Sequence, residues 1–524
     1  MPLYALRNVY SLDEFRPMQR EAIKSITDGQ DSLILLPTGS GKTICYAIPA
    51  LIMSGVTIVI TPLLALLSDQ VNKLRSKGIN ACYTRSSMSD EEKESVLHEL
   101  SQKDTCYKLF YLTPEAAISE RMMRHFQEMD KAGVFGRIIV DEAHCVDTWG
   151  SSFRPAYAQL SCLRAFNKPY HAFTGTATSR TQRVIIERLQ MTSTTIVKLP
   201  SERNNLFFRV IPKIDQKSKD DIVKLITEDF TNKCGIVYCS TRRDTKDMAY
   251  LLKVKGISAV HYDGALDDLE KEHNSRAWLD GKAIVMCATK AFGMGIDKND
   301  VRFVIHHTIP ESMEDYFQEA GRAGRDGLPS TCILLYRFED RSKILNSISR
   351  TEDPNHKHLQ KDMLDSIVKY CMLNHCRRAF MLSYFDETTD MTQPCGNNCD
   401  NCQNPQQTVP KDYTDLSIQA FDCLLSMSTQ ARVTMKQAAF TLKGSKSKKD
   451  VLNKNFHLVP QYGLGKAKLK SEGHAIRLFQ LLIVNGYFEE NLRDHTENTT
   501  APFLTLTEKA YLVKNGSSKV VLNL

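Results

Sequence analysis

Asp31-Ser32-Leu33-Ile34-Leu35-Leu36-Pro37-Thr38-Gly39-Ser40-Gly41-Lys42-Thr43 begins apolar, breaks at proline and glycine, and ends on a lysine and a threonine. The apolar run Asp31–Pro37 reads as a buried strand and the residues from Lys42 as a helix, joined by a glycine-rich turn. Glycines let a backbone wrap a phosphate, and the first N–H groups of a helix point at it. In this pattern Thr38, Gly39, Ser40 and Gly41 cradle a nucleotide's phosphates. Lys42 reaches the β- and γ-phosphates, and Thr43 offers its hydroxyl to Mg²⁺. Leu36 stands where the longer form of the motif carries its first glycine.

The rhythm around this stretch is strand, then helix, repeated. Apolar runs bounded by turn residues occur at Val56–Thr61, Lys108–Thr113, Arg137–Glu142 and His171–Thr176. That alternation predicts a parallel sheet covered by helices. It restarts after a polar stretch at Ile211–Asp221, with runs at Gly235–Ser240, Ile257–Tyr262, Ala283–Ala288, Arg302–His307 and Thr331–Tyr336. Two α/β domains in tandem are therefore expected.

Each domain carries one more charged motif. Asp141-Glu142-Ala143-His144 follows a strand, and carboxylates at the C-terminal end of a parallel strand face the ligand crevice. Asp141 suits Mg²⁺, and Glu142 suits the positioning or deprotonation of an attacking water. In the second domain, Gln318-Glu319-Ala320-Gly321-Arg322-Ala323-Gly324-Arg325-Asp326-Gly327 holds two arginines three residues apart. Arg322 and Arg325 suit the charge on a transferring phosphoryl group. Such a split site explains why two domains are needed, since closure would complete it.

The totals fit an ordinary globular chain: 524 residues, 42% hydrophobic, 25% charged, net charge +7. Apolar runs are too short to span a membrane, and the N-terminus lacks the layout of a secretory signal. Fifteen scattered cysteines without an export signal imply reduced thiols. Four of them, Cys376, Cys395, Cys399 and Cys402, have the spacing C-x18-C-x3-C-x2-C, which suits a closed, structural Zn²⁺ site. Cys371 competes as a ligand on a less suitable spacing. Charge gathers near the end: Arg432 to Arg477 holds 11 Lys/Arg against 2 Asp/Glu, a pattern suited to a polyanion.

These motifs resemble superfamily 2 helicases, and the RecQ family in particular, from about Phe15 to the end of the chain. Arg16 and Gln19 resemble the adenine-reading element. Ile60-Thr61-Pro62-Leu63, Tyr111-Leu112-Thr113-Pro114-Glu115, Thr174-Gly175-Thr176-Ala177-Thr178 and Ala291–Asp297 resemble further helicase motifs. By that resemblance His144, Thr174, Thr176 and Asp297 couple ATP to movement, and Gln318 faces the nucleotide. Trp149-Gly150, Phe153-Arg154-Pro155 and Tyr157 resemble the loop that separates RecQ proteins from their relatives. There Trp149, Phe153 and Arg154 would meet single-stranded DNA. Ser151-Ser152 replaces the usual His-Asp, and Ser40 a usual glycine.

The resemblance implies two RecA-like parallel-sheet domains (1–200 and 201–345), a helical zinc-binding subdomain (346–407) and a winged-helix domain (408–524). In the last, Lys446, Lys448 and Lys466 sit in glycine-rich segments suited to phosphate contact. Ala475–Leu482 reads as a helix, and Tyr487–Asn491 with Phe503–Leu506 as a wing whose tip holds His495. The match to the Bloom-type branch runs through Leu442–Lys448 and the segment His474–Leu481. It implies an ATP-dependent 3′–5′ DNA helicase with Mg²⁺ and Zn²⁺. The expected partners are single-stranded and forked duplex DNA together with recombination and repair proteins, and the expected location is the nucleus. The rival readings are an RNA helicase, which shares the ATP motifs, and an ATP-regulated DNA-binding or annealing protein that unwinds little.

Overall fold

The computed structural model describes residues 1–524 apart from 38, 63, 86–87, 148–153, 200–202, 214–217, 294–297, 386–393, 406–409, 446–448 and 497–498; for 64–66, 69, 493–496 and 499–500 it describes the backbone alone. The strand of the opening stretch is β1 (Ser32–Leu35), buried along its whole length. It ends at Leu36, whose N–H still reaches Thr174 O at 3.0 Å. Pro37 then offers no donor, so the ladder stops and the chain turns. Six further strands complete the first sheet: β2 (Val56–Ile60), β3 (Ala81–Tyr83), β4 (Leu109–Leu112), β5 (Phe135–Val140), β6 (Tyr170–Thr174) and β7 (Thr195–Lys198). Their order is β3-β4-β2-β5-β6-β1-β7, and every pairing is parallel. Strands buried on both faces read as unbroken apolar runs, which is why the central ones were legible.

Order and register set the site. Leu35 lies opposite Thr174, and Val140 opposite Ala172. The turns that follow β1, β5 and β6 therefore emerge side by side at one edge, where a parallel sheet collects ligands.

A second sheet contains β8 (Leu206–Pro212), β9 (Gly235–Tyr238), β10 (Ala259–Tyr262), β11 (Val285–Ala288), β12 (Phe303–His306) and β13 (Ser330–Tyr336), in the order β10-β11-β9-β12-β13-β8. Trp278 is fully buried behind it and donates its indole N–H to Gly235 O at 3.2 Å. The two α/β domains expected from the rhythm are both present. Three strands of the two sheets do not stand out in the sequence: β3 has three residues, β7 has four with two of them exposed, and β8 lies at a sheet edge beside a polar stretch.

Contacts divide the chain into two compact units. One comprises Met1–Arg209, Ile214–Leu335 and Arg378–Gln393; the other comprises Val210–Lys213, Tyr336–Arg377 and Pro394–Leu524. The second unit contains the helix Pro354–Cys371, the four-cysteine segment and a C-terminal module. That module has helices Thr414–Ser428, Met435–Lys443 and Glu472–Val484 and an antiparallel hairpin, Phe488–Thr496 with Thr499–Leu506. Its core stacks Phe479 on Phe488 at 5.4 Å, with Phe421 edge-on to Phe488. The hairpin is longer than its apolar ends suggested, because its outer half is polar. Its base is held by a buried ion pair between Arg341 and Glu490 and by Lys361–Glu489 at 2.8 Å.

Helix Met435–Lys443 opens on a capping box, Thr434 with Gln437, and closes on Gly444 in the left-handed region (φ 76°). A Cβ on Gly444 would stand 2.8 Å from the Cα of Gly463. Strain and collision act together there. We expect Gly444→Ala to destabilise the C-terminal module by about 1–3 kcal/mol, read as a lower midpoint in thermal or urea unfolding.

Candidate functional site

The turn after β1 is shaped by two left-handed glycines, Gly39 (φ 84°) and Gly41 (φ 83°). Gly41 starts the helix Lys42–Ile52, so its first N–H groups open onto the turn. Side chains from upstream brace it. Gln19 Nε2 donates to Ser40 O at 2.8 Å, and Arg16 Nη1 donates to Gly39 O at 2.6 Å. A Cβ on Gly41 would stand 2.6 Å from Gln19 Nε2, so a side chain there would displace the Gln19 amide as well as strain φ. Arg16 and Gln19 were expected at a base; here their donors hold the loop. Ser40 Oγ closes the turn on Pro37 O at 2.6 Å, while Thr38 lies outside the described residues.

Lys42 Nζ is buried without a hydrogen-bond partner, and its nearest opposite charge is Glu142 Oε1 at 3.7 Å. A buried, unsatisfied ammonium beside free N–H groups fits an anion such as a phosphate. Thr43 Oγ1 accepts from Tyr46 Oη at 3.4 Å. Asp141 and Glu142 are both buried at the end of β5, and Glu142 takes left-handed backbone angles (φ 49°) that few non-glycine residues adopt. Burial, then the neighbouring Glu142 charge, pushes the Asp141 carboxyl up to about 6. Burial also acts to raise Glu142, but Lys42, then His144 and Arg322, outweigh it and lower its pKa. The two carboxylates thus separate in character: one held as an anion, the other poised to take a proton or a cation.

A chain of polar contacts leads away from this pair. His144 Nδ1 lies 3.4 Å from Glu142 Oε2 and 3.0 Å from Thr174 Oγ1, which in turn donates to Thr176 O at 3.0 Å. Burial lowers the His144 pKa, favouring the neutral ring. The three residues assigned to coupling are therefore in contact, whereas Asp297, the fourth, lies outside the described residues. So do Trp149 and Phe153. The ends of that loop are anchored. Arg154 Nη1 donates to Pro62 O at 3.0 Å, Arg180 pairs with Asp147 at 2.8 Å, and Tyr157 Oη donates to Asp141 O at 2.7 Å. Arg154 is thereby held to the turn after β2.

From the second sheet, Arg322 is buried, donates to Gly293 O, and acts on the Glu142 charge. The stem of Arg325 lies against Gly39, where a Cβ would meet its Cγ at 3.0 Å. Gln318 lines a cavity together with Pro37, Thr176, Phe317 and Leu206. All three residues picked from the arginine motif thus face the turn after β1 or the carboxylates.

The sulfur atoms of Cys376, Cys395, Cys399 and Cys402 lie within 4.8 Å of one another. Four thiolates at that separation fit a tetrahedral Zn²⁺, with Zn–S about 2.3 Å. Cys371 is buried away from the cluster, which removes the competing ligand. Outer contacts fix the ligand-bearing loop: Arg377 Nε donates to Asp400 Oδ1 at 2.5 Å, and Asn401 Nδ2 donates to Leu373 O and His375 O at 2.9 and 2.7 Å. In the basic module Lys466 is exposed. Lys446 and Lys448, and the side chain of His495, lie outside the described residues. Lys443 serves the fold, donating to Leu469 O at 2.6 Å. Among the described residues, no helix is long and apolar enough to cross a membrane.

Residues 16–184 match the DEAD/DEAH box helicase family, 217–327 the helicase conserved C-terminal domain, 338–403 the RecQ zinc-binding region and 407–524 the RQC domain. The ATP-dependent DNA helicase RecQ of Bacillus subtilis is 36% identical over 98% of this chain and 84% of its own length. The chain belongs to the RecQ helicase family. Among its RecQ relatives, the RecQ-like DNA helicase BLM of Xenopus laevis is 37% identical over 98% of the chain. The ATP-dependent DNA helicase hus2/rqh1 of Schizosaccharomyces pombe is 36% identical over 99%. The chain spans 38% and 40% of those two relatives' lengths. The fold is shared more widely: a DUF1998 helicase, MrfA, solved with DNA and AMPPNP, superposes with a TM-score of 0.55 at 17% identity over 73% of this chain and 56% of its own. The RecQ zinc-binding match encloses all four clustered cysteines, which supports a structural zinc site there.

Two outcomes follow from this chemistry. The folded pKa of Asp141, about 6, exceeds its unfolded value, so the folded state binds the extra proton between about pH 4 and 6. Stability from this group is full below that window and is lost as pH rises through it. Asp141→Asn should therefore melt above the parent at about pH 7, with the difference closing toward about pH 4. Zinc analysis should give about one Zn²⁺ per chain, and Cys399→Ser should lose it together with part of the thermal stability.

Proposed function

We propose that this chain is an ATP-dependent DNA helicase that translocates 3′ to 5′ on single-stranded DNA and unwinds duplexes. The observation that carries the reading is the convergence on Glu142 of Lys42 from its own sheet and Arg322 from the other. A hydrolytic site divided in this way is completed by closure and relaxed by opening.

In this reading Thr38, Gly39, Ser40 and Gly41 wrap the phosphates, and Lys42 exchanges its weak Glu142 contact for them. Thr43 and Asp141 would hold Mg²⁺, which would neutralise charge on the phosphate oxygens. Glu142, kept an anion by its lowered pKa, positions or deprotonates the attacking water, with the neutral His144 beside it. Arg322 and Arg325 stabilise charge on the transferring group, and Gln318 faces the same crevice. Arg16 and Gln19 bind the base while retaining the loop. His144, Thr174, Thr176 and Asp297 carry the state of the site toward Trp149, Phe153 and Arg154, which receive single-stranded DNA. Lys446, Lys448 and Lys466 grip duplex phosphates, and the wing bearing His495 splits the fork.

The domain limits 1–200, 201–345, 346–407 and 408–524 belong to the same proposal. So do a nuclear location and work alongside recombination, repair and replication proteins, which rest on the Bloom-type resemblance.

Lys42→Ala is the decisive variant. We expect it to lose ATP hydrolysis by at least about 100-fold and to abolish strand displacement on a forked DNA duplex. Equal displacement by parent and variant would refute a motor. Stimulation of ATPase by single-stranded RNA as strong as by DNA would move the substrate to RNA.

A further inference from the structure

We propose that Arg203 and Asn205, on the chain between β7 and β8, are positioning residues that hold the arginine-bearing turn Gly321–Gly327 in its working geometry. The proposal rests on the reading that Arg322 and Arg325 act on the transferring phosphoryl group.

The two residues converge on one short stretch of backbone. Arg203 Nη2 donates to Ala323 O at 3.0 Å and to Gly324 O at 2.7 Å. Asn205 Nδ2 donates to the same Gly324 O at 2.7 Å and to Leu328 O at 3.0 Å. Arg203 Nε also reaches Asn205 Oδ1 at 3.3 Å, so each side chain steadies the other. The carbonyls they hold belong to the two residues between Arg322 and Arg325. The planar peptide that bears the Gly324 carbonyl ends at the Cα of Arg325, and the one that bears the Ala323 carbonyl begins one residue after Arg322, so the two bonds limit how far the turn between the arginines can shift.

Three features separate this arrangement from ordinary strand packing. First, the hydrogen bonds that Arg203 makes to Asn205, Ala323 and Gly324 all go to neutral oxygens, so here it serves geometry rather than charge pairing. Second, Gly324 takes φ 55°, and a Cβ there would stand 2.4 Å from Asn205 Nδ2. The turn is built around the amide. Third, the β8–β13 side of the sheet is already tied by backbone, since Ser330 N donates to Asn205 O at 2.9 Å. The side-chain bonds are additional to that tie. Arg203 and Asn205 also lie on the chain that joins the two sheets, so the placement of the arginines is linked to the segment that must adjust when the sheets approach or separate.

The test is steady-state, DNA-stimulated ATP hydrolysis by the full chain, with ADP affinity measured in parallel by a fluorescent ADP analogue. Arg203→Ala and Asn205→Ala should each lower kcat by about 10–100-fold, with KM and ADP affinity within about twofold of the parent. Arg203→Lys, which keeps one donor, should fall between Ala and parent. The double variant Arg203→Ala/Arg322→Ala should lose less than the product of the two single losses, because both changes act through the same turn. Unchanged kcat in Arg203→Ala and Asn205→Ala, or fully additive losses in the double variant, would overturn the proposal. If Arg203→Ala fails to fold, Asn205→Ala and Arg203→Lys carry the same comparison. Parent-like kcat in Arg322→Ala would bring down the underlying arginine reading, whereas a slow Arg322→Ala beside a normal Arg203→Ala would defeat the positioning role alone.

Discussion

Lys42 and Glu142 hold opposite charges 3.7 Å apart where little water reaches, and Asp141 is buried beside them. One ammonium cannot satisfy two carboxylates in a low-dielectric crevice, and the imbalance shows in the opposite directions of their pKa shifts. Left alone, the cluster is a liability to the fold; with a polyanion and a divalent cation added, the charges can balance. The left-handed backbone at Glu142 adds a strain of about 1–3 kcal/mol. These costs are met by the surrounding sheet, whose central strands are buried throughout.

The second sheet contributes charge to that crevice, and the way its arginines are held matters as much as their identity. An arginine on an exposed turn would sample many orientations and lose its benefit to entropy. Here the backbone on either side of Ala323 and Gly324 is gripped from the chain that connects the sheets. The zinc cluster follows similar logic in the other unit: a loop with almost no core of its own is ordered by sulfur ligands and by the Arg377–Asp400 and Asn401 contacts.

Much of this was legible because the chemistry demands particular residues at particular spacings. The glycine-rich turn follows a buried strand and opens a helix, the paired carboxylates end a parallel strand, and the four cysteines cluster, each as its pattern implied. Buried central strands announced themselves as apolar runs. What stayed hidden lacked a period or a motif. Strands β3 and β7 are short, and two of the four residues of β7 are exposed. The outer half of the wing hairpin is polar, so only its base could be read. Arg203 and Asn205 look like ordinary linker residues, because their partners lie about 120 residues downstream. Arg16 and Gln19 were found by resemblance, but their grip on the loop carbonyls needed coordinates.

The strand order also governs how this protein can be made. β1, which leads into the glycine-rich turn, sits between β6 and β7, with Leu35 paired to Thr174 on one side and Lys198 on the other. A ribosome adds about 5–20 residues per second, so some ten to thirty seconds separate the synthesis of β1 from that of its last neighbour. During that interval an apolar strand with two open edges waits in a nascent chain. The turn after β1 cannot take shape until nearly the whole first sheet has been translated, which makes this stretch the natural client of a chaperone that shields unpaired strands.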